Sequence, residues 1–186
     1  MTTSDGSGDE RVVLDPASVA ELLDRLARAV LDRNGDAANV ALVGIRTGGF
    51  SLAERLVRRL AALGHTVPLG AIDIALYRDD VFEGLPRPQV GSTELPFSLP
   101  GRTVVLVDDV LYTGRTVRAA LDALVDHGRP RAVQLAVLVD RGHRELPIQA
   151  DFVGTTLATS REEQVKVHLA VESNDDRVIV RKRRRA

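Results

Sequence analysis

The sequence predicts an α/β fold, a mostly parallel twisted sheet flanked by helices on both faces, followed by short late strands. Three observations carry that expectation. Val40 to Val43, Thr103 to Val107 and Ala132 to Val139 are short, almost unbroken apolar runs, as expected of parallel strands buried on both faces. Between them, apolar residues recur at helical spacing. Loops rich in Gly, Asp, Arg and Thr leave the ends of these strands, which is where such sheets bind ligands.

The elements follow in order. Residues 1–14 start polar and small and are expected to be a disordered or irregular segment. Asp15-Pro16 reads as an N-cap followed by Pro at the first helical position. Val19, Leu22, Leu23, Leu26, Ala29 and Val30 then line one helical face, and Gly35 stands where a left-handed stop is expected. The first strand, Val40 to Val43, ends in Gly44. Leu52, Leu56, Leu60 and Leu63 mark a second helix stopped by Gly64, and Val67 to Leu76 reads as another strand. Periodicity is lost between Tyr77 and Pro100, a stretch holding four prolines and two glycines; so long a loop inside a domain is usually functional. Thr103 to Val107 is again a strand, Thr116 to Val125 a helix stopped by Gly128, and Ala132 to Val139 a strand. After a mixed-charge loop come Val165 to Val171, a turn at Asp175-Asp176, and Val178 to Val180. Residues 15–180 read as one domain and 181–186 as a basic tail.

Composition bounds the chemistry. The apolar share of 44% and charged share of 27% are those of a globular protein. Without Cys there is no disulfide, thiolate metal site or Cys nucleophile. A net charge of −1 gives no bulk attraction to nucleic acid. The polar start lacks the features of a signal peptide, and no apolar run approaches a bilayer span, so the expected location is cytoplasmic, with no membrane partner.

The strongest signal is the segment Val104 to Thr116. A buried strand delivers two adjacent carboxylates, Asp108 and Asp109, as acceptors suited to diol hydroxyls or a hard cation. Val110, Leu111 and Tyr112 follow, and then Thr113, Gly114, Arg115 and Thr116 open a helix whose free N–H groups and dipole suit an anion. Carboxylates beside a phosphate cradle suggest a phosphorylated sugar. This segment resembles the phosphoribosyl-pyrophosphate signature of type I phosphoribosyltransferases.

Gly44-Ile45-Arg46-Thr47-Gly48-Gly49 leaves the first strand and enters the second helix. In the resembling family this position is the loop that holds the leaving diphosphate. Many similar members carry a basic residue where this chain has Gly48. Tyr77-Arg78-Asp79-Asp80 opens the long loop, read as a lid that excludes water, with Arg87 and Gln89 on the same lid. Asp140 to Ile148 is a mixed-charge loop. His143 there admits a general-base reading, but beside Arg141 and Arg144 it needs no special role.

Together these segments resemble a narrower family, the bifunctional pyrimidine operon attenuation regulators and uracil phosphoribosyltransferases, from about Asp15 to Val171. The resemblance implies a type I phosphoribosyltransferase-like fold with a small hood of irregular and short β segments over about 140–171. It implies transfer of phosphoribosyl from 5-phosphoribosyl-1-pyrophosphate (PRPP) to uracil, giving UMP and diphosphate, with Mg²⁺ held through the substrate and by Asp108 or Asp109. Asp108, Asp109 and Arg78 would be the catalytic residues, the two aspartates holding the ribose diol and Arg78 neutralising the diphosphate as the lid closes, while Thr113 to Thr116 would anchor the 5′-phosphate. Arg46 and Thr47 would hold the diphosphate. Tyr77, Arg87, Arg141 and Val165 would lie at the margins, the last two at the uracil.

The resemblance also implies UMP-dependent binding of pyrimidine leader mRNA, and a homodimer or higher homo-oligomer. The residues support RNA binding less well, because Lys166 and Lys182 are the only lysines. Arg25, Arg28 and Arg33 share a helix, Arg129 and Arg131 flank a turn, and the tail is basic. Two other readings stay open: a uridine-nucleotide-sensing regulator with little turnover, and a purine phosphoribosyltransferase.

Overall fold

The computed structural model describes residues 10–46, 48–77, 92–170 and 175–182. Among the described residues eleven elements are formed: β1 (Glu10–Leu14), α1 (Pro16–Asn34), β2 (Val40–Ile45), α2 (Gly48–Ala62), β3 (Leu69–Ile72), β4 (Thr103–Leu111), α3 (Arg115–Asp126), β5 (Ala132–Asp140), β6 (Phe152–Thr156), β7 (Glu163–His168) and β8 (Arg177–Lys182). Five of the strands make a parallel sheet in the order β3-β2-β4-β5-β6. The other three make an antiparallel sheet, β1-β8-β7.

Strand alternation divides the core into two layers. Leu42, Val105, Val107, Ala136 and Leu138 face α1 and α2 and share their layer with Val165, Val178 and Val180 of the small sheet. Val43, Ile45, Val104, Leu106, Leu135 and Val137 face α3. The first helix starts as its sequence dictates: the Asp15 carboxylate accepts the Ser18 N–H at 2.8 Å, and Pro16 needs no partner.

Several boundaries differ from the sequence expectation. Glu10–Leu14 is not irregular but pairs with β8, and Arg181 and Lys182 belong to β8 rather than to a free tail. The expected strand Val67 to Leu76 shortens to β3, because the Asp73 side chain accepts the Ala75 N–H at 2.7 Å and Tyr77 N–H closes a turn on Ile74. In the other direction, β4 runs on past Val107 through both aspartates to Leu111. The strand β6 arises inside the expected mixed loop, where Phe152 and Gly154 are buried against β5.

Candidate functional site

The order of the parallel sheet reverses between β2 and β4. From β2 the chain steps outward to β3, and from β4 it steps the other way to β5. Two connections therefore diverge at the carboxyl ends of β2 and β4, and the crevice between them is where such sheets hold ligands. Both glycine-bearing loops singled out in the sequence lie there.

Glycine is required on the α2 side because the helix starts against bare backbone. A Cβ on Gly49 would stand 2.3 Å from the Val107 carbonyl oxygen, and one on Gly48 would stand 2.3 Å from Asp109 Oδ2. The first residue of α2 and the Asp109 carboxylate thus confront each other directly.

Asp108 is 7% exposed. Its Oδ1 accepts the Asp109 N–H at 3.0 Å, and Asp109 Oδ1 accepts the Val110 N–H at 2.8 Å. Burial pushes the Asp108 carboxyl well above the usual carboxylate range, and the adjoining Asp109 charge adds to it. Burial raises Asp109 too. Two adjoining carboxylates, one buried and one half-buried, both with raised proton affinity, suit a cation or hydroxyl donors. No cluster of three or more His, Cys, Asp or Glu suited to a metal occurs among the described residues. The donor set thus fits a hard cation that takes most of its oxygens from a ligand.

Beyond β4, Gly114 adopts a left-handed conformation (φ 91°) and caps α3 with no side chain of its own. Thr113 Oγ1 accepts the Arg115 N–H at 3.3 Å. The loop 140–148 closes over this turn. Arg141 N–H reaches the Leu111 carbonyl at 3.1 Å, Arg144 Nη1 the Tyr112 carbonyl at 2.8 Å, and the Glu145 and Leu146 N–H groups the Thr113 carbonyl at 3.0 and 3.2 Å. The Gly114 carbonyl accepts from Arg118 N–H at 2.9 Å, and Arg115 pairs with Glu145 at 2.9 Å. Arg144 is itself tied to Asp140, which is partly buried; against that burial, Arg144 and the Gly142 N–H hold its carboxyl below the usual range.

The remaining predicted residues are placed as follows. Val110 and Leu111 turn their side chains into the two core layers, so only their backbone faces the crevice. Thr116 is exposed in the first turn of α3. Arg46 leaves the end of β2, but its guanidinium is engaged by the Ser92 carbonyl (2.9 Å) and Glu94 (3.0 Å) and lies over Phe50. The Tyr77 hydroxyl bonds Asp126 at 2.5 Å, at the far end of α3 from Gly114, which takes it away from the expected margin of the site. Arg141 is buried rather than presented to a ligand: it lies 4.2 Å over the Tyr112 ring and bonds Thr159 and Ser160. The Val165 side chain is 8% exposed and packs into the core, leaving only its backbone for contact. His143 bonds the Thr159 carbonyl through Nε2, a structural use of the ring. Thr47, Arg78, Arg87 and Gln89 lie outside the described residues.

Sequence reading missed one wall of the crevice. A cavity of about 260 Å³ is lined by Gly48, Ser51 and Asp109 on one side and Val167, His168 and Leu169 on the other. It also missed the buried ion pair behind that cavity, in which Arg55 of α2 meets Asp176 at 2.7 and 2.9 Å. An isolated Arg inside a helix's apolar stripe was the available signal.

Comparisons with known proteins agree with this geometry. Residues 15–172 match the model of the phosphoribosyl transferase domain family. The chain is 54% identical over 175 residues to the bifunctional protein PyrR of Geobacter sp. (strain M21), covering 94% of this chain and 99% of that one. It is 54% identical over 167 residues to the bifunctional protein PyrR of Thermus thermophilus, covering 89% and 92%. A solved hypoxanthine phosphoribosyl transferase of Trypanosoma cruzi superposes with a TM-score of 0.72 at 20% identity, over 97% of this chain and 94% of that chain, a likeness of fold.

Proposed function

Given that the chain belongs to the phosphoribosyl transferase domain family and groups with the bifunctional PyrR proteins, we propose that it transfers phosphoribosyl from PRPP to uracil, releasing diphosphate and UMP. The observation that carries this reading is the meeting, at one crevice, of the Asp108-Asp109 pair with the glycine-borne starts of α2 at Gly48 and of α3 after Gly114.

Each part has a task in that reaction. The N–H groups at the start of α3, with the Thr113 and Thr116 hydroxyls, hold the 5′-phosphate. Asp108 and Asp109 accept the ribose hydroxyls and hold the sugar as positive charge develops at its anomeric carbon. The start of α2, with Arg46 and Thr47, faces the departing diphosphate. Arg78 neutralises that group as the lid closes, with Arg87 assigned to the same lid. Asp108 or Asp109 would be the protein ligand of a substrate-bound Mg²⁺, which when bound would supply charge neutralisation to the leaving group. Catalysis on this scheme is orientation and electrostatics, without a covalent nucleophile. The Arg46–Glu94 ion pair is exposed and gives way to a ligand at little cost.

The decisive experiment measures diphosphate release from PRPP with uracil, hypoxanthine and guanine in parallel. Uracil should be used far faster than either purine. Preference for a purine would replace the proposed acceptor, and no release with any base would leave a sensor rather than an enzyme.

We propose the regulatory half as well: binding of pyrimidine leader mRNA promoted by UMP, in a cytoplasmic homodimer or higher homo-oligomer. The word bifunctional in the relatives' name favours it. Among the described residues no helix is long and apolar enough to cross a membrane. Arg28 is exposed on α1, whereas Arg25 and Arg33 are engaged by the Gly154 carbonyl and Asp151. A gel shift with leader RNA at low salt, with and without UMP, tests this half. Absence of a shift in both removes it.

A further inference from the structure

Gly48, Ser51 and Arg55 stand at positions i, i+3 and i+7 of α2 and share one helical face. That face runs along the end of β7. At its near end Gly48 and Ser51 look across the 260 Å³ cavity at Val167, His168 and Leu169. At its far end Arg55 grips the chain just beyond β7. The guanidinium bonds the Ala170 carbonyl and meets both Asp176 oxygens, at 2.9 and 2.7 Å. Asp176 Oδ1 in turn accepts the Ala170 N–H at 2.9 Å. The Arg55 and Asp176 side chains are 12% and 2% exposed. One carboxylate and one guanidinium therefore bind both polar groups of Ala170, a single residue away from the cavity wall.

Resting on the transferase reading above, we infer that Arg55 and Asp176 are positioning residues for the diphosphate end of PRPP. The pair fixes the distance between the start of α2 and the end of β7, and with it the width of the cavity that faces Asp109. One wall is α2 with the end of β4, the other is the end of β7 in the small sheet, and Val167 and Leu169 are only partly buried against the main core. A buried ion pair is a weak source of net stability, because desolvating both groups offsets most of their attraction. Its directional geometry is what an apolar pair of the same volume could not reproduce.

That contrast supplies the test. The double variant Arg55→Met/Asp176→Leu removes the clamp but fills the same space. Its melting temperature should stay near or above the wild-type value. Its KM for PRPP should rise about tenfold, since a displacement on the order of an ångström is costly to a preorganised site. KM for uracil and kcat should remain within about twofold. Calorimetry with inorganic diphosphate and Mg²⁺ should show the same loss of affinity in a turnover-independent readout. If the double variant fails to fold, Asp176→Asn keeps the shape and the Ala170 bond while removing the charge, and the same two constants are read from it. A KM for PRPP and a diphosphate affinity both unchanged in a folded variant overturn the inference. Wild-type protein that neither turns over uracil nor binds diphosphate overturns the underlying reading instead, so the two failures are distinct.

Discussion

Replacing Asp108 by Asn should stabilise the ligand-free protein and cripple it as an enzyme. The side chain is 7% exposed, and Asn keeps an oxygen to accept the Asp109 N–H. What changes is the charge. Burial, reinforced by Asp109, raises the folded-state proton affinity of Asp108 well above that of the unfolded chain. Between those two values the folded protein binds more protons than the unfolded one, so stability falls as pH rises through that window. The penalty is complete above the raised value and vanishes below the unfolded one. Desolvating an uncompensated polar group costs about 1–3 kcal/mol, and a charge more. For a chain of 186 residues that corresponds to an increase in melting temperature of about 2–12 °C. The assay is thermal unfolding in EDTA, without PRPP, at pH 8 and near pH 4. The variant should melt higher at pH 8, and its advantage should shrink toward pH 4. Adding PRPP and Mg²⁺ should then stabilise the wild type more than the variant. No gain at pH 8, or an equal gain at both pH values, would refute the charge argument.

Four further outcomes follow from the same geometry. Asp109→Asn should lower kcat/KM by about 100-fold or more while moving the melting temperature by only a few degrees, and wild-type-like kinetics would sink the assignment. Thr113→Val should raise KM for PRPP about tenfold, and an unchanged KM would argue against the phosphate cradle. Gly49→Ala places a methyl group 2.3 Å from the Val107 carbonyl, which is fixed backbone, and should destabilise by about 1–3 kcal/mol in urea titration. Gly48→Ala meets the Asp109 carboxylate instead, so it should depress activity while costing less stability.

The parts of the molecule that are local in sequence were legible. Asp15 and Pro16 announce α1 because a cap and its partner are three residues apart. The Val104 to Thr116 segment announces the crevice because strand, carboxylates, glycine turn and helix start are consecutive. What escaped was decided by partners far along the chain. Glu10–Leu14 is a strand only because Val178 to Arg181 lie beside it. The short segment at Phe152 becomes β6 because Gly154 packs its backbone onto Leu138, with no space for a Cβ. Arg141 looked like a ligand contact because a buried Arg and an exposed one read alike in sequence; its place over Tyr112 depends on Thr159 and Ser160 folding back. The error at Tyr77 has the same root, since Asp126 is 49 residues away.

The closing of loop 140–148 over the turn before α3 has an electrical consequence. The carbonyls of Leu111, Tyr112, Thr113 and Gly114, four in succession, are all occupied by donors, most of them from that loop. Their negative ends are thereby screened on the side of the turn that the loop covers. For Tyr112 the turn owes this screening to Arg144, a residue 32 positions downstream, so a substitution there changes the field at the start of α3 without being part of the helix. The start of α3 and the loop 140–148 are then one electrostatic unit, and the polarity of the helix start changes with the loop.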